Sequence, residues 1–378
     1  MTGKYQVCNR CVMDTTDPEI QFDEKGICNH CRQYDESIKR FVFDGEAGKE
    51  KLQHIIDEIK VSGTGKEYDC IIGVSGGVDS SFVAYKVKEF GLRPLAVHLD
   101  NGWDSELAVK NIELFLKKLD IDLYTHVIDW DEFKDLQLSF LYASTPDSEI
   151  PSDHAIHAIL FHVAENKKIK YIIFGSNVRT ESHLPKAWSQ GHFDWKYIES
   201  IHNEYGFLPL TTFPHMNFFA PYRYFFTHKS IAMLNYLEYS KNDAMKILEN
   251  ELGWKYYGGK HYESIYTRFY QGYILPKKFG YDKRRVHLSS LICSGEITRS
   301  EALEELKNEP YPAELQSQDK EYVIKKFRIS DEEFDRIMNL PKRKFEDFPS
   351  YGNSKIYIAM GVFFRILGKM FNLVKKGK

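Results

Sequence analysis

The sequence predicts an α/β chain: a parallel sheet flanked by helices, with a small metal-stapled module in front and a helical region behind. Three observations carry this expectation. Four of the six cysteines crowd into the first 31 residues. From Lys51 to about Asp129, short apolar runs alternate with segments of helical spacing. Beyond Thr227 the chain is rich in Lys, Glu, Tyr and Leu at helical spacing, without strand alternation. The expected units are therefore 1–45, 46–226 and 227–378. No Pro/Gly/Ser-rich linker marks the second boundary.

Each element has its own signal. Residues 1–45 hold too few apolar side chains to fold without a staple. Residues 51–60 have helical spacing, and 68–74 (YDCIIGV) are a short β-branched run ending in a glycine-rich turn. A helix is expected over 79–90, with Gly91 just past its end as a stop. Residues 94–99 read as a second strand and 121–128 as a third. Asp104 is the expected N-cap of an intervening helix running through Lys118. A helix over 153–166 precedes a buried strand at 170–174 that ends at Gly175. Strand–helix alternation at this spacing implies parallel pairing with right-handed crossovers.

Composition narrows the class. The chain has 378 residues, which as a prior allows about two to three domains. With 43% hydrophobic and 28% charged residues, global disorder and collagen-like repeats are excluded. A net charge of −3 weighs against a general nucleic-acid binder, so no nucleic-acid partner is expected. The start MTGKYQVCNRC lacks an apolar signal core, and no run of ~20 apolar residues exists. A cytoplasmic location is the expectation.

Cys8, Cys11, Cys28 and Cys31 form two C-x2-C knuckles. Two knuckles can complete a tetrahedral thiolate shell around Zn²⁺, leaving no open position, so a structural zinc is expected. An iron–sulfur cluster or four free thiols are the competing readings, and His30 could replace one cysteine.

The glycine loop after the first strand has rival readings. Residues 73–77 (GVSGG) match the G-x-S-x-G nucleophile elbow, with Ser75 as nucleophile. The same stretch runs on as Ser75-Gly76-Gly77-Val78-Asp79-Ser80, or S-G-G-x-D-S, the PP-loop signature of ATP pyrophosphatases. A plain strand–helix turn is the bland alternative. The longer match favours the PP-loop: no lysine marks a Walker loop, and no HGGG-like oxyanion segment is present. Two glycines let the backbone approach phosphate, and the helix opening near Asp79 turns its positive end on the anion. Ser75 and Ser80 can donate to phosphate oxygens, and Asp79 can hold Mg²⁺. The second strand ends in His98-Leu99-Asp100-Asn101-Gly102, so Asp100 is a candidate for nucleotide or metal, with a turn residue as the bland reading. Ser176 and Asn177, at the end of the 170–174 strand, are further candidates; Glu181 reads equally as a solvated helix start. His154, His157 and His162 do not share one helix face and read as ordinary, partly buried histidines.

The knuckles, the PP-loop and the segment 258–299 together resemble the N-acetyl sugar amidotransferase family, the WbpG/PseA-type proteins of bacterial surface-polysaccharide and flagellin-glycan synthesis. The resemblance implies an adenine nucleotide alpha hydrolase-like PP-loop domain using ATP and Mg²⁺. It implies conversion of an acetamido group on a nucleotide-linked sugar, as in lipopolysaccharide O-antigen synthesis, to an acetamidino group. On that chemistry Asp79 and the loop hold pyrophosphate and Mg²⁺, and cations cover the departing pyrophosphate. The C-terminal candidates are Lys260, Lys283 and Arg284, with Arg268 and Arg285 beside them. Lys283, Arg284 and Arg285 sit where an apolar helical run begins, opposing the helix dipole, which a nearby anion or a solvated charge cluster would explain.

No glutaminase nucleophile fits. Thr2 follows the initiator Met, Cys70 lies within a strand, and Cys293 is flanked by Ile292 and Ser294. A separate glutaminase subunit, resembling the one used in histidine biosynthesis, is expected to supply ammonia. The rival enzyme is a PP-loop tRNA sulfurtransferase, which would need reactive cysteines; a zinc-dependent nucleotide-binding scaffold is the non-enzymatic alternative. The tail at 355–376 is apolar with spaced basic residues. A helix docked on the protein or on a partner subunit is the favoured reading, and an interfacial membrane helix the other.

Overall fold

The computed structural model describes residues 5–259 and 262–376. In chain order it begins with α1 (Asn29–Phe41), α2 (Gly45–Ser62), β1 (Cys70–Gly73), α3 (Val78–Glu89), β2 (Pro94–Asp100), α4 (Glu106–Leu119) and β3 (Asp122–Val127). There follow α5 (Trp130–Ala143), α6 (Ile150–Asn166), β4 (Tyr171–Phe174), α7 (Val178–Glu181), α8 (Trp195–Tyr205), α9 (Ala220–Thr227) and β5 (Lys229–Ala232). The rest is helical: α10 (Lys241–Ile247), α11 (Ile265–Phe269), α12 (Arg284–Ser294), α13 (Arg299–Glu305), α14 (Ala313–Phe327), α15 (Asp331–Asn339) and α16 (Lys355–Lys376). Helix α10 runs on as a π-helix at Leu248–Leu252, and α11 does so at Tyr270–Phe279.

The five strands form one parallel sheet in the order β3-β2-β1-β4-β5. Successive side chains of the inner strands serve two cores. Ile71, Leu95, Val97, Leu99 and Ile172 face the layer built by α5, α6, α8 and the C-terminal helices. Cys70, Ile72, Ala96, Tyr171 and Ile173 face the layer of α2, α3, α4 and α10. Both faces are covered, which is why these strands read as near-continuous apolar runs.

The strand order reverses between β1 and β4. Chain leaving β1 builds outward through β2 and β3, whereas β4 and β5 build on the other side. In such a sheet the crevice at the carboxyl ends of the two central strands is where ligands bind. Those ends here are Val74–Ser80 and Gly175–Asn177.

Three expectations need correction. The N-cap of α4 is Ser105, whose hydroxyl accepts from Ala108 N at 3.2 Å, because Asp104 is drawn to buried His98 at 3.1 Å. Helix α6 starts earlier than expected, at Ile150, with Pro151 in its first turn, where a missing N–H costs nothing. Beyond Thr227 the chain is mostly helical, as expected, with one exception: Lys229–Ala232 pairs with β4 as an edge strand, so the sheet passes position 226. Four residues on the edge, two exposed and two half-buried, are too few to show a period.

The N-terminal module is clamped by the C-terminal helices. Arg299 donates to the carbonyl of Cys8 at 2.8 Å and of Cys11 at 3.0 Å. Arg285 pairs with Asp14 at 3.0 Å and donates to Val12 O at 2.7 Å.

Candidate active site and metal centre

The four knuckle thiols converge. All are fully buried, and the Sγ atoms of Cys8–Cys31, Cys11–Cys28 and Cys28–Cys31 lie 3.8, 3.6 and 3.7 Å apart. A tetrahedron with ~2.3 Å metal–sulfur bonds has edges of about 3.8 Å. The cage therefore already has the size of a four-thiolate metal site. Backbone N–H groups of Arg10, Met13 and Cys28 point at these sulfurs at 3.3–3.4 Å, stabilising thiolate charge. His30 is not a ligand: its Nε2 meets buried Asp17 at 2.6 Å.

The glycine loop is built by close backbone approach. Gly76 has φ +78°, and a Cβ there would stand 2.7 Å from Ala108 O in the first turn of α4. Its carbonyl accepts the Trp254 indole N–H at 2.9 Å. The hydroxyls of Ser75 and Ser80 lie 3.2 Å apart, and Ser75 Oγ accepts from Gly77 N at 3.3 Å. These two hydroxyls thus face each other across the loop at the mouth of α3. Beneath it, His98 ties Val74 O, at 2.9 Å, to Asp104. Burial opposes a charge on that imidazole, but the Asp104 carboxylate outweighs it and raises the pKa.

Asp79 and Gly175 complete the crevice. The Tyr239 hydroxyl donates to Asp79 Oδ1, and burial followed by the Asp79 charge raises the phenol's pKa, so the tyrosine stays a neutral donor. A Cβ at Gly175 would come within 3.0 Å of Asp79 C and Ser80 N, so the end of β4 packs directly on the start of α3. Ser176 is exposed and Asn177 buried. Asn177 Oδ1 caps α7 by accepting from Thr180 N at 3.0 Å, which leaves its buried Nδ2 without a partner among the described residues. A buried donor with no acceptor at a strand end fits a ligand oxygen.

Arg268, Lys283 and Arg284 line a cleft of about 620 Å³ shared with Thr180, Glu181, Lys241 and Tyr262, whereas Arg285 is held by Asp14 of the N-terminal module. Each cation described has a carboxylate of its own. Arg268 makes a two-pronged pair with Asp319 at 2.7 and 2.8 Å. Arg284 pairs with Asp282 at 2.7 Å and donates to the carbonyl of Asn308 at 3.0 Å. Lys283 lies 3.7 Å from Glu149; burial works against its charge, but Asp147, Glu149 and Asp153 outweigh it and hold the ammonium protonated. The anions that offset this helix start are thus side chains of the chain itself. Lys260 lies outside the described residues.

Asp100 accepts from Gly102 N at 2.9 Å, the turn role, and lines a separate cavity of about 250 Å³ with Trp130 and Lys326. His154 is a satisfied core residue, bonded to His192 O at 2.7 Å and to Met216 N at 2.9 Å. Trp254, Tyr239, His98 and Gly175 are the supports that sequence reasoning missed. Of these, only Gly175, a glycine ending a buried strand, carried a signal.

Fold and site together define a parallel-sheet domain with a glycine-rich loop at its crevice, joined to a four-cysteine module. Residues 263–361 match the family described as "LPS biosynthesis protein WbpG-like, C-terminal domain". In that segment the chain is similar to the WbpG-like family, the one its sequence resembles. None of the curated proteins matches. Among solved structures, an NH3-dependent NAD synthetase from Campylobacter jejuni subsp. jejuni NCTC 11168 is 14% identical, covering 78% of this chain and 98% of that one, with a TM-score of 0.33. An NMN synthetase from Francisella tularensis is likewise 14% identical, covering 79% and 99%, with a TM-score of 0.31.

Proposed function

We propose that this chain is the synthetase component of an ATP-dependent amidotransferase that turns the acetamido group of a nucleotide-linked sugar into an acetamidino group, for bacterial surface-polysaccharide synthesis. The observation that carries the reading is the S-G-G-x-D-S loop at the point where strand order reverses, with the Ser75 and Ser80 hydroxyls 3.2 Å apart at the start of α3. The WbpG-like match supports the sugar-directed role.

An amide oxygen is a poor leaving group, so it must be activated. On this reading the oxygen attacks the α-phosphorus of ATP, the bond to the β-phosphate oxygen breaks, and pyrophosphate leaves. The resulting imidate carries AMP on oxygen. Ammonia attacks the imidate carbon, the carbon–oxygen bond breaks, AMP departs, and loss of a proton from nitrogen leaves the amidine.

The chain's residues position and shield these steps. Gly76 and Gly77 admit the phosphates, the α3 N-terminus offers positive N–H groups, and the Ser75 and Ser80 hydroxyls donate to phosphate oxygens. Asp79, oriented by Tyr239, is the carboxylate that would hold Mg²⁺, which neutralises pyrophosphate charge when bound. Asn177 offers its buried amide to the nucleotide. Lys283, in the cleft wall, is the cation for substrate phosphate, and Arg284 braces the wall through Asp282 and Asn308. The Cys8, Cys11, Cys28 and Cys31 cage would hold Zn²⁺ as a staple remote from the chemistry.

Cys70 is fully buried in β1, and burial pushes its thiol's pKa up, which disfavours sulfur transfer through it. The deciding experiment incubates the protein with ATP, an ammonium salt and a panel of nucleotide-linked acetamido sugars. The expected result is AMP, pyrophosphate and a product about one mass unit lighter, as NH replaces O, all abolished by Asp79→Asn. AMP formation without any lightened sugar would overturn the sugar reading.

A further inference from the structure

The C-terminal helix presents two opposite faces. Tyr357 and Phe364, seven residues apart, dock it: Tyr357 packs on Phe218 at 4.6 Å, and Phe364 stacks on Tyr222 at 4.6 Å. The other face is bare. Ile358, Val362 and Ile366 recur at four-residue steps, flanked by Ile356 and Phe363, and all five are 47–72% exposed. Phe219, just before the neighbouring α9, and Phe225 on it are exposed too, and the Phe219 ring lies 6.4 Å from that of Phe364. The exposed Ile and Val side chains of α16 thus form an apolar stripe of their own, with exposed rings at the neighbouring α9, more than scattered surface residues explain.

Charge narrows the occupant. Between Lys355 and Lys376 the segment carries Lys355, Arg365, Lys369, Lys375 and Lys376 and no acidic residue, on a chain of net charge −3. A two-fold contact with a second copy would set this basic helix against itself, and like charges facing one another oppose such pairing. An anionic surface with an apolar interior satisfies both halves of the pattern. No described helix is long and apolar enough to cross a membrane, so the helix would lie on a bilayer rather than through it.

We propose that α16, with the exposed aromatic rings of α9, is an interfacial anchor that lays this protein on an anionic lipid bilayer. Its apolar face enters the boundary between headgroups and acyl chains, and the basic composition of the segment favours anionic headgroups. The inference is independent of the reaction catalysed.

The test is cosedimentation of the full chain with vesicles of phosphatidylglycerol and phosphatidylethanolamine, and with vesicles of phosphatidylcholine alone. Binding is expected to the anionic vesicles, to weaken as salt rises, and to be slight on phosphatidylcholine. The double variant Ile358→Glu/Ile366→Glu changes exposed positions only, and its fold is checked by far-UV circular dichroism. It is expected to lower apparent affinity by about tenfold or more. No binding to anionic vesicles, binding indifferent to salt, or equal binding by the folded double variant would each overturn the proposal. So would a dimer seen by light scattering that the double variant dissociates in a protein that never binds vesicles.

Discussion

Gly76 shows how much one position carries. Its φ of +78° is costly for any side chain, and the space a Cβ needs is taken by the Ala108 carbonyl. Gly76→Ala is expected to cost about 1–3 kcal/mol of stability and to lower ATP turnover about a hundredfold or more, read by chemical denaturation and AMP release. Buried histidines give a second prediction at this scale. Burial lowers the pKa of His154 and of His157 to about 4 from the ordinary 6.5. The unfolded chain therefore binds more protons than the native one between about pH 4 and 6.5, and stability falls as pH drops through that window. Asp153 works the other way. Burial raises its carboxyl to about 6, so it favours the native state as pH falls toward the ordinary carboxylate range. Two histidines against one carboxyl leave a net loss on acidification. His154→Asn is expected to flatten the pH dependence of the unfolding free energy by up to about 3 kcal/mol over the window, read by chemical denaturation at a series of pH values.

Among elements, the knuckle module and helices α12 and α13 depend on one another. Arg299 and Arg285 bond to carbonyls of Cys8, Cys11 and Val12, whose positions follow from the thiolate cage. One zinc per chain is expected by elemental analysis, and Cys11→Ser should abolish it. Because the module holds few apolar side chains of its own, metal loss should also expose α12 and α13 to proteolysis. A protein that keeps its melting temperature after metal removal would sever this link. The glycine loop is likewise an assembly of elements: α3 supplies its anion-facing end, β4 reaches it through Gly175, and Trp254, beyond the π-turn after α10, holds its carbonyl.

For the whole molecule, the ammonia source is the open term. Cys70 is sealed in the sheet, and Cys293 lies 3.9 Å from Cys31, against the metal cage, so neither faces the cleft walls. The isolated chain is expected to use ammonium salts and to hydrolyse little glutamine. Robust glutamine hydrolysis by the chain alone would contradict a separate glutaminase partner. The C-terminal cations show why a list of charges differs from a site. Arg268, Lys283, Arg284 and Arg285 look alike in sequence, yet each is matched to a carboxylate from a distant segment, Arg284 excepted, whose partner Asp282 is two residues away.

Local pattern was enough wherever the physics is local. Ligand spacing brings four thiols together within two tight turns, six consecutive residues mark the glycine turn between β1 and α3, and apolar runs bounded by glycine define the central strands. The rest required the third dimension. Strand order, which turns β1 and β4 into a crevice, is a long-range pairing no periodicity encodes. The edge strand at Lys229–Ala232 is too short to carry a period, and the cap of α4 moved to Ser105 because buried His98 needed the Asp104 carboxylate. Desolvation and charge pairing are settled between segments far apart in sequence, so only the packed chain decides which cations keep a free face and which are already balanced.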